Sequence, residues 1–190
     1  MSVMTSVIPH GRPFTVDDLE GFPDDGNRYE LIDGMIHESP APVPLHQIVL
    51  SEMHFVLRLA CPSDLLVLVA PLDVQPDQTT SLQPDILVAR PPDFGPKNLP
   101  VAPLLAVEVL SPSTRLYDLN TKRFAYEKMG VPSYWIVDPT GPGALTVFEL
   151  DDEGRYRQHT HVEGDEEFAA TRPFPVTVVP ARLLDGLRPR

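Results

Sequence analysis

Cysteine occurs once in the 190 residues, at Cys61, which excludes an intramolecular disulfide and suits a reducing compartment. That thiol is expected to serve as a small buried hydrophobe. Long apolar runs are missing as well. None approaches the roughly 18 residues needed to span a bilayer, and the opening MSVMTSVIPHGR lacks the basic start and apolar stretch of a secretory leader. The expectation is a soluble cytoplasmic protein with no membrane partner. Positive charge is also scarce: 15 Lys and Arg face 27 Asp and Glu, for a net charge of −12. The summed field opposes any broad nonspecific grip on a polyanion. Local clusters run against the average, with Arg115, Lys122, Arg123 and Lys128 close together, while Asp151, Asp152, Glu153, Glu163, Asp165, Glu166 and Glu167 read as a solvated acidic face.

What is present is core material. A hydrophobic content of 42% in a chain of this length suits one domain over residues 1–190, with its central part at about 45–139. The 23 prolines fall between periodic segments, where they act as punctuation. FTVDDLEGFP predicts a short helix capped by Thr15, and RYELIDGMIHES a hairpin turning at Asp33-Gly34. From Leu45 to about Ala60, apolar residues at 45, 48, 49, 53, 56 and 57 mark a helix, and Leu50, Phe55 and Leu59 suggest packing on more than one side. DLLVLVAPLDVQ and QPDILVAR predict neighbouring antiparallel strands, and LLAVEVL a third.

DLNTKRFAYEKMG predicts a helix with Asp118 as N-cap and Gly130 as terminator, followed by the strand SYWIVDP. A strand, helix, strand unit implies that strands 104–110 and 134–138 are parallel. The core order is therefore αβββαβ, an α/β fold with a mixed sheet, an N-terminal hairpin and C-terminal β additions: ALTVFELDDEGRYRQHTHV as a hairpin and VTVVPARLLDG as a closing strand and turn.

Glu108 stands out because it interrupts a run otherwise fit for a buried strand. An uncompensated buried carboxylate costs several kcal/mol, so a cation, a metal or a set of donors must accompany it. The topology offers Asp85, opening the second strand after Pro84, and Lys122 on the crossover helix. Two acids on adjacent strands plus a lysine make a site for a hard divalent cation such as Mg²⁺, which polarises a phosphoryl oxygen. Lys122 would then orient the attacking water or stabilise charge on phosphorus. A purely structural ion pair between Glu108 and Lys122 is the plainer alternative.

The succession RYELIDG, LHQ, LQPDILV, VEVLSPSTR and YDLNTKRFAYEKMGVPSYWIVDP resembles the Uma-two family of endonucleases, which share the restriction-endonuclease-like PD-(D/E)xK fold. The resemblance spans residues 15 to 185 and is most specific from Glu108 to Pro139. It implies a DNA phosphodiesterase dependent on Mg²⁺ or Mn²⁺ and centred on Asp85 and Glu108. One departure is that the superfamily's lysine, two residues after the acid, is replaced by Leu110, which makes Lys122 its counterpart. Matching positions add Glu30 as a third acid ligand and His46 as a contact to phosphate or metal-bound water. Asp118 is expected to hold Lys122 from one turn away, and Tyr126 to pack over or bond within the site. A homodimer is expected by analogy with nucleases that cut two strands. The acidity of the chain keeps two rivals in view: a non-catalytic nucleic-acid-binding or protein-interaction domain, and a phosphohydrolase acting on small nucleotides.

Overall fold

The computed structural model describes residues 5–7, 11–23 and 25–187. Along the chain lie β1 (Thr5–Val7), α1 (Val16–Leu19), β2 (Arg28–Ile32), β3 (Met35–Ser39), α2 (Pro44–Ala60), β4 (Leu66–Val69), β5 (Val74–Asp77), β6 (Thr80–Leu82), β7 (Ile86–Ala89) and β8 (Leu105–Val109). A π-helical turn (Tyr117–Lys122) then runs into α3 (Arg123–Met129), followed by β9 (Ser133–Asp138), β10 (Ala144–Leu150), β11 (Tyr156–Glu163), β12 (Phe168–Ala170), β13 (Val176–Val178) and a closing 3₁₀ stretch (Pro180–Leu187). None of the helices among the described residues is long and apolar enough to cross a membrane.

The order αβββαβ is present as α2, β4, β7, β8, α3 and β9. These strands lie within a six-stranded sheet ordered β11-β10-β9-β8-β7-β4, in which β8 and β9 are parallel and the other pairs antiparallel. Strand β8 is central and buried along its whole length. Its side chains alternate between two faces, as the pleat requires. Leu105, Val107 and Val109 pack with Val49, Met53 and Leu57 of α2, whereas Ala106 and Leu110 pack with Ala125 and Tyr126 of α3. Each fully buried Leu, Met or Val of α2 contributes on the order of 1.5–3 kcal/mol. Glu108 shares the face of Ala106 and Leu110, and so points toward the helix that carries Lys122.

Three expectations need correction. The strands at QPDILVAR and DLLVLVAPLDVQ do pair, as β7 and β4, but the hairpin β5–β6 lies between them and joins a second, five-stranded sheet ordered β1-β3-β2-β6-β5. Its sequence, VQPD and TSL, shows no apolar alternation, and Pro76 is tolerated because β5 is an edge strand. Of the three apolar positions expected to pack on a further side of α2, Leu50 is buried, whereas Phe55 is 62% and Leu59 77% exposed. Cys61 is half-buried, its thiol directed at the Leu65 carbonyl.

The Asp33-Gly34 turn is as predicted, with positive φ at both residues (49° and 76°). A Cβ on Gly34 would overlap the Pro13 side chain, whereas one on Gly154, also at positive φ, would meet open space. Gly154→Ala is therefore expected to cost about 1 kcal/mol of backbone strain. Gly34→Ala should cost at least about 1 kcal/mol more by urea denaturation, and equal losses would show that the turn does not rest on Pro13.

Candidate active site

Asp118 is not the helix cap that the sequence predicts. Helical structure begins at Arg115, whose N–H donates to the Ser111 carbonyl (3.0 Å), while the Ser111 hydroxyl accepts from the Thr114 N–H (3.3 Å). Ser111 thus does the work assigned to Asp118, and Asp118 falls inside the π-helical turn. The extra residue of a π turn shifts the register of the helix beyond it. Here Tyr117, Asp118 and Lys122 are all buried, and the helix still ends at Gly130.

The Lys122 ammonium lies 2.9 Å from Glu108 Oε1, 3.1 Å from Glu30 Oε2 and 3.8 Å from Asp118 Oδ1. Tyr126 donates its hydroxyl to the same Glu108 Oε1 at 2.9 Å. Glu108 Oε2 receives no hydrogen bond among the described residues. Glu30 arrives from the second sheet, where its Oε1 accepts the Gln83 N–H at 2.7 Å. The β5–β6 hairpin makes this possible by pairing β6 with β2.

Asp85 immediately precedes β7. Its Oδ2 accepts the Val109 N–H (2.8 Å) and contacts His46 Nε2 (3.0 Å), and its Oδ1 faces Arg28 (3.2 Å). His46 stands near the N-terminus of α2, and its Nδ1 is buried without a partner among the described residues. Glu30, His46, Asp85, Glu108, Asp118 and Lys122 all line one cavity of about 320 Å³ that opens to solvent. Tyr126 touches the cluster from within the core.

The sequence-predicted residues thus meet, though with divided allegiance: Lys122 pairs with Glu108, Glu30 and Asp118, while Asp85 is held by His46 and Arg28. Among the described residues no group of three or more His, Cys, Asp or Glu side chains is arranged to hold a metal ion. The carboxylates converge instead on the ammonium and the guanidinium. Sequence reasoning missed Arg28, although it lies two residues before Glu30 on one strand, a spacing that puts both on the same face. The Val109 and Gln83 backbone donors have no sequence signature.

Burial pushes Glu108 well above the ordinary carboxylate range, and neighbouring Asp85, Asp118 and Glu30 add to the effect against the pull of Lys122. Asp85 goes the other way. Burial opposes its ionisation, but the His46 contact and the charges of Arg28 and Lys122 hold it well below the usual range. Lys122 resists desolvation because Glu108, Glu30 and Asp118 keep its proton on, raising it above an ordinary lysine. Asp118 is pushed up by burial to about 6.

The comparisons with known proteins accord with this architecture. A crystal structure of a "putative nuclease belonging to DUF820" from Anabaena variabilis ATCC 29413 superposes with a TM-score of 0.73 at 19% identity, covering 93% of this chain and 100% of that one, so the two share a fold. No curated protein matches the sequence. The profile of the Uma2 family, described as "Putative restriction endonuclease", matches residues 16–182, and the chain belongs to that family.

Because folding raises the Asp118 pKa, the folded state holds that proton more tightly than the unfolded chain. The stability this confers is complete below pH 4 or so and is lost as pH rises through about 6. Asp118→Asn should lack that loss, so its stability relative to wild type should improve between about pH 4 and 7 by up to about 2 kcal/mol. Parallel stability curves for the two proteins would show that Asp118 titrates normally.

Proposed function

We propose that the chain hydrolyses phosphodiester bonds in DNA, assisted by Mg²⁺ or Mn²⁺ held by Asp85 and Glu108; Glu30, expected from the sequence as a third ligand, is taken up by Lys122 and the Gln83 N–H instead. The observation that carries this reading is the Glu108 Oε2 atom, left without a donor among the described residues in a cavity that also presents Asp85 and Arg28. The donor set fits such an ion in two ways. Its oxygens are the hard ligands these cations take. Moreover, ionising Glu30, Asp85, Glu108 and Asp118 together would set four carboxylates against the two cations Lys122 and Arg28, an excess of negative charge that a dication would offset.

When bound, the ion would supply Lewis acidity toward a phosphoryl oxygen and toward water. The protein's own groups do the rest. Lys122 stays an ammonium, so it acts as a fixed charge and donor toward the reacting phosphate, not as a base. Arg28, 24% exposed and lining the cavity, offers a second cation to a phosphate oxygen. His46 keeps Asp85 ionised and oriented, and Tyr126 fixes the Glu108 carboxylate against rotation. Membership of a family described as "Putative restriction endonuclease" supports the same reaction class.

The net charge of −12 and the cavity of about 320 Å³ favour a second reading, a phosphohydrolase acting on small nucleotides. Plasmid nicking measured beside hydrolysis of a small phosphodiester separates the two. With Mg²⁺ or Mn²⁺, wild-type protein should nick plasmid DNA. Asp85→Asn, Glu108→Gln and Lys122→Met should each lose at least about 100-fold, the scale of removing one electrostatic stabiliser. Nicking that survives all three substitutions, or that proceeds unchanged in EDTA, would refute this assignment.

A further inference from the structure

A second cleft, of about 910 Å³, adjoins the cavity and shares with it Arg28 and the wall formed by Pro40, Ala41 and Pro42. The chemistry proposed above makes no use of it. Two half-buried rings line it, Phe22 and Tyr29, with centroids 5.0 Å apart and planes inclined at 52°. The amides of Gln47 and Gln78 also line it; both residues are exposed, and their side chains make no hydrogen bond among the described residues.

The charge of the cleft is unsuited to a double helix. Among the described residues its cations are Arg28 and Lys97, and Asp17, Glu20 and Asp73 oppose them. Duplex binding draws its affinity from neutralising phosphates on two strands, and an acid-rich cleft cannot supply that. An unpaired strand presents one row of phosphates, which Arg28 and Lys97 can meet, and draws further affinity from stacking. Each of its bases shows a π face, which an aromatic side chain can stack on, and a free hydrogen-bonding edge. A glutamine amide carries donors and an acceptor that match such an edge. In a paired strand, the face and the Watson–Crick edge are hidden.

We propose that this cleft binds an unpaired DNA strand, with bases on Phe22 and Tyr29 and edges read by Gln47 and Gln78. Arg28, lining both spaces, leads the strand's phosphate to the carboxylates. The proposal rests on the phosphodiesterase reading and narrows its substrate to single-stranded DNA or single-stranded segments.

The test uses the full chain and a fluorescein-labelled DNA strand of about 12 nucleotides, within the footprint of known single-strand grooves. The strand is presented alone and annealed to its complement. Binding is followed by fluorescence anisotropy in EDTA, and cleavage with Mg²⁺ or Mn²⁺. The unpaired strand should bind about tenfold more tightly than the duplex and be cut faster. Phe22→Ala and Tyr29→Ala should each weaken its binding about tenfold, the scale of one lost stacking contact. Gln78→Ala, at an exposed position that does not threaten folding, should weaken it about threefold, a hydrogen-bond-sized loss. Equal binding of the two forms, or binding unchanged in both Phe22→Ala and Gln78→Ala, overturns the assignment. Faster cutting of the duplex also overturns it and leaves the phosphodiesterase reading standing. If neither form is cut with either metal, that reading falls, and the anisotropy values alone decide the cleft.

Discussion

A buried ammonium surrounded by carboxylates is the constraint around which this molecule is built. Lys122, only 3% exposed, faces Glu108 from the central strand of one sheet, Glu30 from a second sheet and Asp118 from its own helical turn. Stripping a lysine and three acids of water costs several kcal/mol per ion, and only close pairing with good hydrogen bonds offsets it. Such a cluster adds little net stability over an apolar core of the same shape. Its presence in a structure otherwise packed with Val, Leu and aromatic side chains is what the proposed chemistry would account for. It joins elements that the apolar cluster of Ile32, Leu82, Ala106, Tyr117 and Tyr126 also brings together.

Much of this was legible in the primary structure. Alternation along LLAVEVL places Glu108 on a definite face of a buried strand. The helix stripe at Val49, Met53 and Leu57, the Asp33-Gly34 hairpin and the parallel pairing of β8 with β9 also follow from local rules. The convergence of Glu30, His46, Asp85, Glu108 and Lys122 on one cavity is found in the structure too. What escaped was set by tertiary context. The hairpin of VQPD and TSL has no periodicity to betray it, because it is held by the sheet it joins. Asp118 reads as a cap because short acids favour helix starts, yet Ser111 begins the helix four residues ahead of Arg115, and the π turn carries Asp118 inward. Arg28 carries the spacing of Glu30 but no partner in sequence, since Asp85 lies 57 residues away.

The division of labour among the acids is itself informative. Asp85 is anchored by a backbone amide, an imidazole and a guanidinium, which fixes its orientation and its charge. Glu108, by contrast, is gripped through one oxygen and free at the other among the described residues. Environments that push two carboxyl groups in opposite directions occur in catalytic sites and in structural ion-pair networks alike. Membership of the Uma2 family and a fold shared with the Anabaena variabilis structure give that site a context, while the chemistry proposed for it comes from these residues.

The phosphodiester hydrolysis proposed for this site depends on whether a hard dication enters between the free oxygen of Glu108 and the carboxylate of Asp85. Diffraction from crystals soaked in Mn²⁺, recorded at a wavelength where manganese scatters anomalously, tests this directly. One strong anomalous peak is expected in the cavity, within bonding distance of both carboxylates and absent from Glu108→Gln crystals. A cavity without a peak at saturating Mn²⁺, with Lys122 still closed on Glu108 and Glu30, would reduce the cluster to a structural ion pair.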